Sequence, residues 1–297
     1  MNVDINMNSI TIKNGVVFGL VMRRKHLAKK CLELILGKQI SDITYIESEK
    51  TQVVSATTHG IRMDVYCENE DAIYNIEMQA YQMNDLPKRS RYYQDMMDMI
   101  LLEKGSSYET LRTNIVIFIC TSDPFDQERH IYRFEKRCLE DTSLPLQDDS
   151  LTVFLNTKGK RDDVPRPLKV FLDYIEEGTV MDEYTKELND AVEEVRGTEK
   201  WRKPIMTFEM MQRDMEKIKE YEAKKAREKG LAEGRAEGRA EGRAEGRAEG
   251  RAEGRAEGAS QEKKNTVMRM HEAGMTMESL VIATGLSEEE ILSLLEE

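Results

Sequence analysis

Three side chains in the first third of the chain could act together on a hard cation. They fall in two short runs, Arg62-Met63-Asp64-Val65-Tyr66 and Ile73-Tyr74-Asn75-Ile76-Glu77-Met78-Gln79. Successive strand residues point to opposite faces. Glu77 and Gln79 therefore project together, while Tyr74, Ile76 and Met78 turn toward an apolar layer. Asp64 alternates with Met63 and Val65 in the same way. Between the runs, Glu68-Asn69-Glu70-Asp71 is a polar cluster of the kind that closes a hairpin. Such a hairpin gathers an aspartate, a glutamate and a third polar group, a set able to hold a divalent cation and orient a water. Taken alone, each carboxylate also has a plainer explanation. Asp64 can pair with Arg62 on a solvated strand, and Glu77 can keep a sheet edge from aggregating.

The run Arg62-x-Asp64-Val65, followed by Tyr74-Asn-Ile-Glu-Met-Gln79, resembles the signature of the recombination-promoting nuclease and transposase family of the PD-(D/E)XK nuclease superfamily. The resemblance continues through Leu86-Pro-Lys-Arg-Ser-Arg-Tyr-Tyr93 and Asn114-Ile-Val-Ile-Phe-Ile-Cys120, and less sharply to about Trp201. It covers roughly the first two-thirds of the chain. It implies an α/β fold with a restriction-endonuclease-like core, a central mixed sheet flanked by helices. It also implies a metal-dependent DNA endonuclease linked to recombination or DNA mobility. Asp64 and Glu77 would be the ligands of Mg²⁺, with Mn²⁺ as a possible substitute, and Gln79 stands where the superfamily usually has lysine.

Glutamine is usual for this family, but it can only hydrogen-bond. The burden then shifts to the metal and to a basic group from elsewhere. Lys88, Arg89 and Arg91 are the nearest candidates for that role and for contacts with DNA; their alternative is a solvated basic surface. Glu33 is a candidate third carboxylate from a preceding helix, and a surface i,i+4 pair with Lys29 explains it equally well. Tyr93 fits the apolar stripe of its helix, so core packing is its expected role. The competing function is a nuclease fold whose catalytic power has lapsed, kept as a DNA- or protein-binding module. The missing lysine favours that reading, and the intact Asp64–Glu77 pair opposes it.

The elements that must position these groups follow from pattern. Lys25 to Leu36 reads as an amphipathic helix that Gly37 stops. Strands are expected at 51–57, 61–67 and 72–80, then a helix from about Arg89 to Glu103 after Pro87. Asn114 to Cys120 is an apolar strand rich in β-branched residues. A strand at 151–155 and helices near 166–177 and 181–196 complete a domain at 1–200. His59 lies close to the hairpin but has no partner at ligand spacing.

Composition sets the outer limits. The chain has 297 residues, 39% hydrophobic and 34% charged, with a net charge of −12. That length holds one core of about 200 residues plus appendages. The acidic balance argues against a protein that coats nucleic acid by charge alone. It does not exclude a nuclease whose acidic site is neutralised by metal. No apolar run approaches the ~20 residues needed to cross a bilayer, and the N-terminus lacks a signal-peptide pattern. The four cysteines are widely spaced. Reduced thiols in a cytoplasmic protein with no membrane partner are the expectation.

Beyond residue 200 the composition changes. Residues 201–229 form a charged helical segment. Then Leu-Ala-Glu-Gly occurs once and Arg-Ala-Glu-Gly six times, over 230–258. Two readings stand: a marginal helix, since glycine costs ~1 kcal/mol per position relative to alanine, or a flexible spacer. Residues 259–297 read as a small helical module, with a capping box at Ser287 and Glu290. Its spacing is like that of a helix-turn-helix, but the helix that would enter the DNA groove is acidic and would be repelled by phosphate. Oligomer contacts suit it better, and two joined sites would suit double-strand cutting. A homo-oligomer through this tail is the expectation.

Overall fold

The computed structural model describes residues 6–52 and 60–296. Two compact units divide the chain, Met1–Lys217 and Ile218–Glu297. Within the first, a six-stranded sheet has the order β1-β2-β3-β4-β6-β5. These strands are β1 (Tyr45–Gln52), β2 (Ile61–Glu68), β3 (Ala72–Gln79), β4 (Thr113–Cys120), β5 (Ile131–Phe134) and β6 (Ser150–Asn156). β1, β2 and β3 form an antiparallel meander. β3, β4 and β6 run parallel, and β5 pairs antiparallel with β6 at the far edge.

Parallel strands covered on both faces read as unbroken apolar runs, and β4 does so. Its Ile115, Ile117 and Ile119 enter one core, and its Val116, Phe118 and Cys120 the other. The first core is closed by α1 (Gly15–Met22), α2 (Lys25–Leu36), α4 (Arg166–Glu177) and α5 (Glu183–Gly197). The second is closed by α3 (Leu86–Leu101) through Leu86, Tyr93, Met96 and Met97. The result is a mixed sheet between helical layers, as the sequence led one to expect.

Several boundaries differ from expectation. The strand expected at 51–57 is described from Tyr45 to Gln52, and its residues 53–57, like His59, lie outside the described residues. α3 begins at Leu86, with Pro87 inside its first turn, where a missing N–H costs nothing. The repeat is helical: α6 runs unbroken from Glu199 to Glu272. The seven repeat glycines at 234 to 258 have nothing within 4 Å of where a Cβ would stand.

The first unit extends past residue 200 because the start of α6 belongs to its core. Ile205 is fully buried there, Asn14 Nδ2 donates to Ile205 O (3.4 Å), and the Phe208 ring lies 2.9 Å from the Cβ position of Gly15. In the second unit, α7 (Met277–Thr284) and α8 (Glu288–Glu296) join the end of α6 around Val267, Leu280 and Ile291. The capping box is present: Glu290 N donates to Ser287 Oγ (3.2 Å) and Ser287 N to Glu290 Oε2 (2.8 Å). All four cysteines are free thiols. Among the described residues, no helix is long and apolar enough to cross a membrane.

The burial of Ile205 sets a test of where the core ends. Ile205→Ala should destabilise the first unit by about 2–5 kcal/mol in chemical denaturation. A chain ending at residue 200 should melt well below one ending at 217.

Candidate active site

β2 and β3 pair through their backbones from Glu68↔Ile73 to Val65↔Ile76, and there the backbone ladder ends. One step further, the carboxylates take over as acceptors. Asp64 N donates to Glu77 Oε1 (3.0 Å), and Met78 N donates to Asp64 Oδ2 (2.9 Å). Each side chain thus satisfies an N–H on the opposite strand that a carbonyl would otherwise take. The expected hairpin is present, and it sets Asp64 and Glu77 face to face.

The local backbone differs from the simple alternation read from sequence. Val65 enters the first core, but Met63 enters the second with Ile61 and Tyr66. The phase of the strand slips at Asp64. On the other side of β2, Ser48↔Val65 and Lys50↔Met63 are paired while Glu49, between them, stands in the left-handed region (φ 56°). α1 presses on the same point: a Cβ on Gly19 would stand 3.1 Å from Asp64 O and 3.2 Å from Ser48 Cβ.

β3 directs Asn75, Glu77 and Gln79 toward α3, and all three are buried, Glu77 at 4% exposure. α3 answers with Arg89. Its Nη1 donates to Gln79 Oε1 (3.1 Å) and its Nη2 to Tyr93 Oη (3.0 Å). Nη2 also lies 3.8 Å from Glu77 Oε2. The other end of the Gln79 amide donates to Tyr81 O (3.0 Å), which fixes the orientation of the side chain. The guanidinium stands 5.4 Å from the Tyr93 ring centroid and 5.6 Å from that of Phe118, within cation–π range. Tyr93 is therefore a core residue that also accepts a hydrogen bond from the site's arginine.

Both carboxyls are held above their ordinary range. For Glu77 the cause is burial, then the facing Asp64 charge; the Asp64 N–H and Arg89 oppose these. For Asp64 the cause is again burial, opposed by the Met78 N–H and by Arg62 and Arg89, while Glu49 adds to the rise. Two carboxylates facing each other with one guanidinium beside them are short of positive charge. An oxygen-rich pair of this kind fits a hard divalent cation.

The other expected residues lie elsewhere. Glu33 sits in α2 and accepts from Ile40 N (3.3 Å). Lys29, its expected i,i+4 partner, pairs instead with Asp42 (2.5 Å). The helix that touches Asp64 is α1, and it carries no acidic residue. Among the described residues there is no group of three or more His, Cys, Asp or Glu side chains poised to hold a metal. Lys88 and Arg91 are exposed on α3. Sequence reasoning missed Glu49 and gave Asn75 no role. The signal for Asn75 was available, since it lies two residues before Glu77 on the same strand face.

A meander feeding parallel strands, with facing carboxylates on its second and third strands, defines a PD-(D/E)XK-like nuclease fold. The family described as PD-(D/E)XK nuclease family transposase matches residues 16–232, and the chain belongs to it. The match reaches past Trp201 into α6, beyond the span of the resemblance read from motifs. No curated protein and no solved structure matches the chain.

The raised carboxyls give a pH dependence in metal-free buffer. A folded-state pKa above the unfolded value favours the protonated form, so this stability is present at low pH and is lost as pH rises through the raised values. The melting temperature in EDTA should fall between about pH 5 and about pH 8, and Glu77→Gln should flatten most of that fall.

Proposed function

We propose that this protein is a metal-dependent endonuclease that hydrolyses phosphodiester bonds in DNA, with Asp64, Glu77 and Gln79 as its catalytic residues. The observation that carries the reading is the facing Asp64–Glu77 pair, buried and short of positive charge beside Arg89. Asp64 and Glu77 would hold Mg²⁺ or Mn²⁺. A bound Mg²⁺ lowers the pKa of a coordinated water and screens charge gathering on the phosphate.

The protein's own groups supply the rest. Asp64 and Glu77 are oriented by the N–H groups they accept from, which leaves the second oxygen of each to face a cation. Gln79 cannot supply the charge of the usual lysine, and its Oε1 is taken by Arg89. Arg89 brings that charge to the same place from α3, where it can face a phosphate oxygen. Lys88 and Arg91, exposed on the same helix, suit contacts with flanking phosphates. The family's transposase description supports a role in DNA recombination or mobility. A cytoplasmic homo-oligomer joined through the C-terminal helices would place two such sites on one duplex.

A second reading rests on Gln79: without lysine the fold acts as a DNA- or protein-binding module. Cleavage of supercoiled plasmid separates the two. Because both carboxylates hold backbone N–H groups, Asp64→Asn and Glu77→Gln are better probes than alanine. Wild type should nick plasmid with Mg²⁺ or Mn²⁺ and not in EDTA, and both variants should fall to the EDTA level while staying folded. Arg89→Met should lower the rate about 10–100-fold. Asp64-dependent Mn²⁺ binding with no cutting of any DNA substrate would leave the binding module standing.

A further inference from the structure

Asn75 lies in the middle of β3 and is completely buried, with both Nδ2 and Oδ1 lacking a hydrogen-bond partner. Its neighbours are apolar or aromatic: Tyr66 across on β2, Val116 across on β4, and Ile73 before it on the same face. An amide left unpaired in such a place loses its hydration with nothing to replace it. Valine or isoleucine would suit a central strand better. Stability alone gives no reason for asparagine here, and a buried polar group without a partner calls for another explanation.

The next side chain on that face is Glu77. Its Oε1 is held by Asp64 N (3.0 Å), whereas Oε2 lies 3.8 Å from Arg89 Nη2, beyond hydrogen-bond length. Among the described residues, one carboxylate oxygen therefore lacks a firm donor and one buried amide lacks an acceptor, two residues apart on one strand face.

We propose that Asn75 is a positioning residue: its buried amide donates to the Glu77 carboxylate, and so fixes the direction in which Glu77 presents its oxygen to a cation. The inference deepens the metal-dependent reading of the site and rests on it. Residues two apart on one strand face are neighbours, and the Asn75 amide has no hydrogen bond in this structure. A small turn of either side chain would make one to Glu77.

The test compares Asn75→Val with Asn75→Thr in the full chain. The two side chains have the same shape, and only threonine keeps a hydroxyl donor. Mn²⁺ binding is measured by calorimetry and melting temperature in EDTA, beside wild type and Asp64→Asn. The expected result is that Asn75→Val melts at or above wild type yet binds Mn²⁺ about tenfold more weakly than Asn75→Thr, the size of one hydrogen bond to a charged group. Plasmid cleavage should follow the same order, with kcat falling and KM for DNA unchanged. Equal Mn²⁺ affinity in wild type, valine and threonine, with binding still lost in Asp64→Asn, would overturn the role of Asn75 and leave the metal site standing. Wild type without Asp64-dependent Mn²⁺ binding would remove the metal site itself, and this inference with it.

Discussion

Everything in the site depends on the reciprocal lock between Asp64 and Glu77. Each carboxylate accepts a backbone N–H from the other strand where the β2–β3 ladder stops. The chain thereby parts two strands in the interior of a protein without leaving donors unpaired. The gap so opened is what allows two negative groups to face each other at the edge of a dry core. The groups that could bind a cation are also the ones that hold the sheet together at that point. Loss of a side chain there is a structural event as well as a chemical one.

The two faces of the sheet divide the labour. One is sealed by four helices around a core that runs from Ile10 to Ile205. The other is covered by α3, and the polar side chains of β3 emerge on that side. α3 serves both purposes along one stripe: Tyr93, Met96 and Met97 pack the core, and Arg89, one turn earlier, reaches the carboxylates. The arginine is held by a phenol, an amide and two aromatic rings. It is a fixed charge beside the site rather than a mobile surface group.

Much of this was legible in the sequence, for identifiable reasons. β3 alternates strictly, so its faces could be assigned residue by residue, and the family motif lies on it. β4 announced itself as a β-branched run. α1 did not: Gly-Val-Val-Phe-Gly-Leu-Val-Met is buried nearly all round, so it shows no polar stripe, and its valines and glycines argue against a helix. The phase slip at Asp64 and the left-handed Glu49 are backbone events that alternation cannot foresee. Glu33 was read from Lys25–Leu36 as the first helix of the fold, and the structure places α1 before it. Once α1 occupies the position against Asp64, α2 lies one helix away. The extension of the core to Ile205 was hidden by its charged surroundings, where one buried isoleucine leaves no pattern.

The Gln79–Arg89 contact constrains how this site could change over time. The positive charge that a lysine on β3 would bring is supplied here from α3, and the glutamine carbonyl is what receives it. A lysine at position 79 would meet Arg89 as a like charge and would remove its acceptor. An uncharged residue at position 89 would leave glutamine with no cation beside it. The two positions are therefore coupled: a change at either one alone leaves the site with one cation too many or too few. A motif that looks like a loss on one strand has its cation on the neighbouring helix.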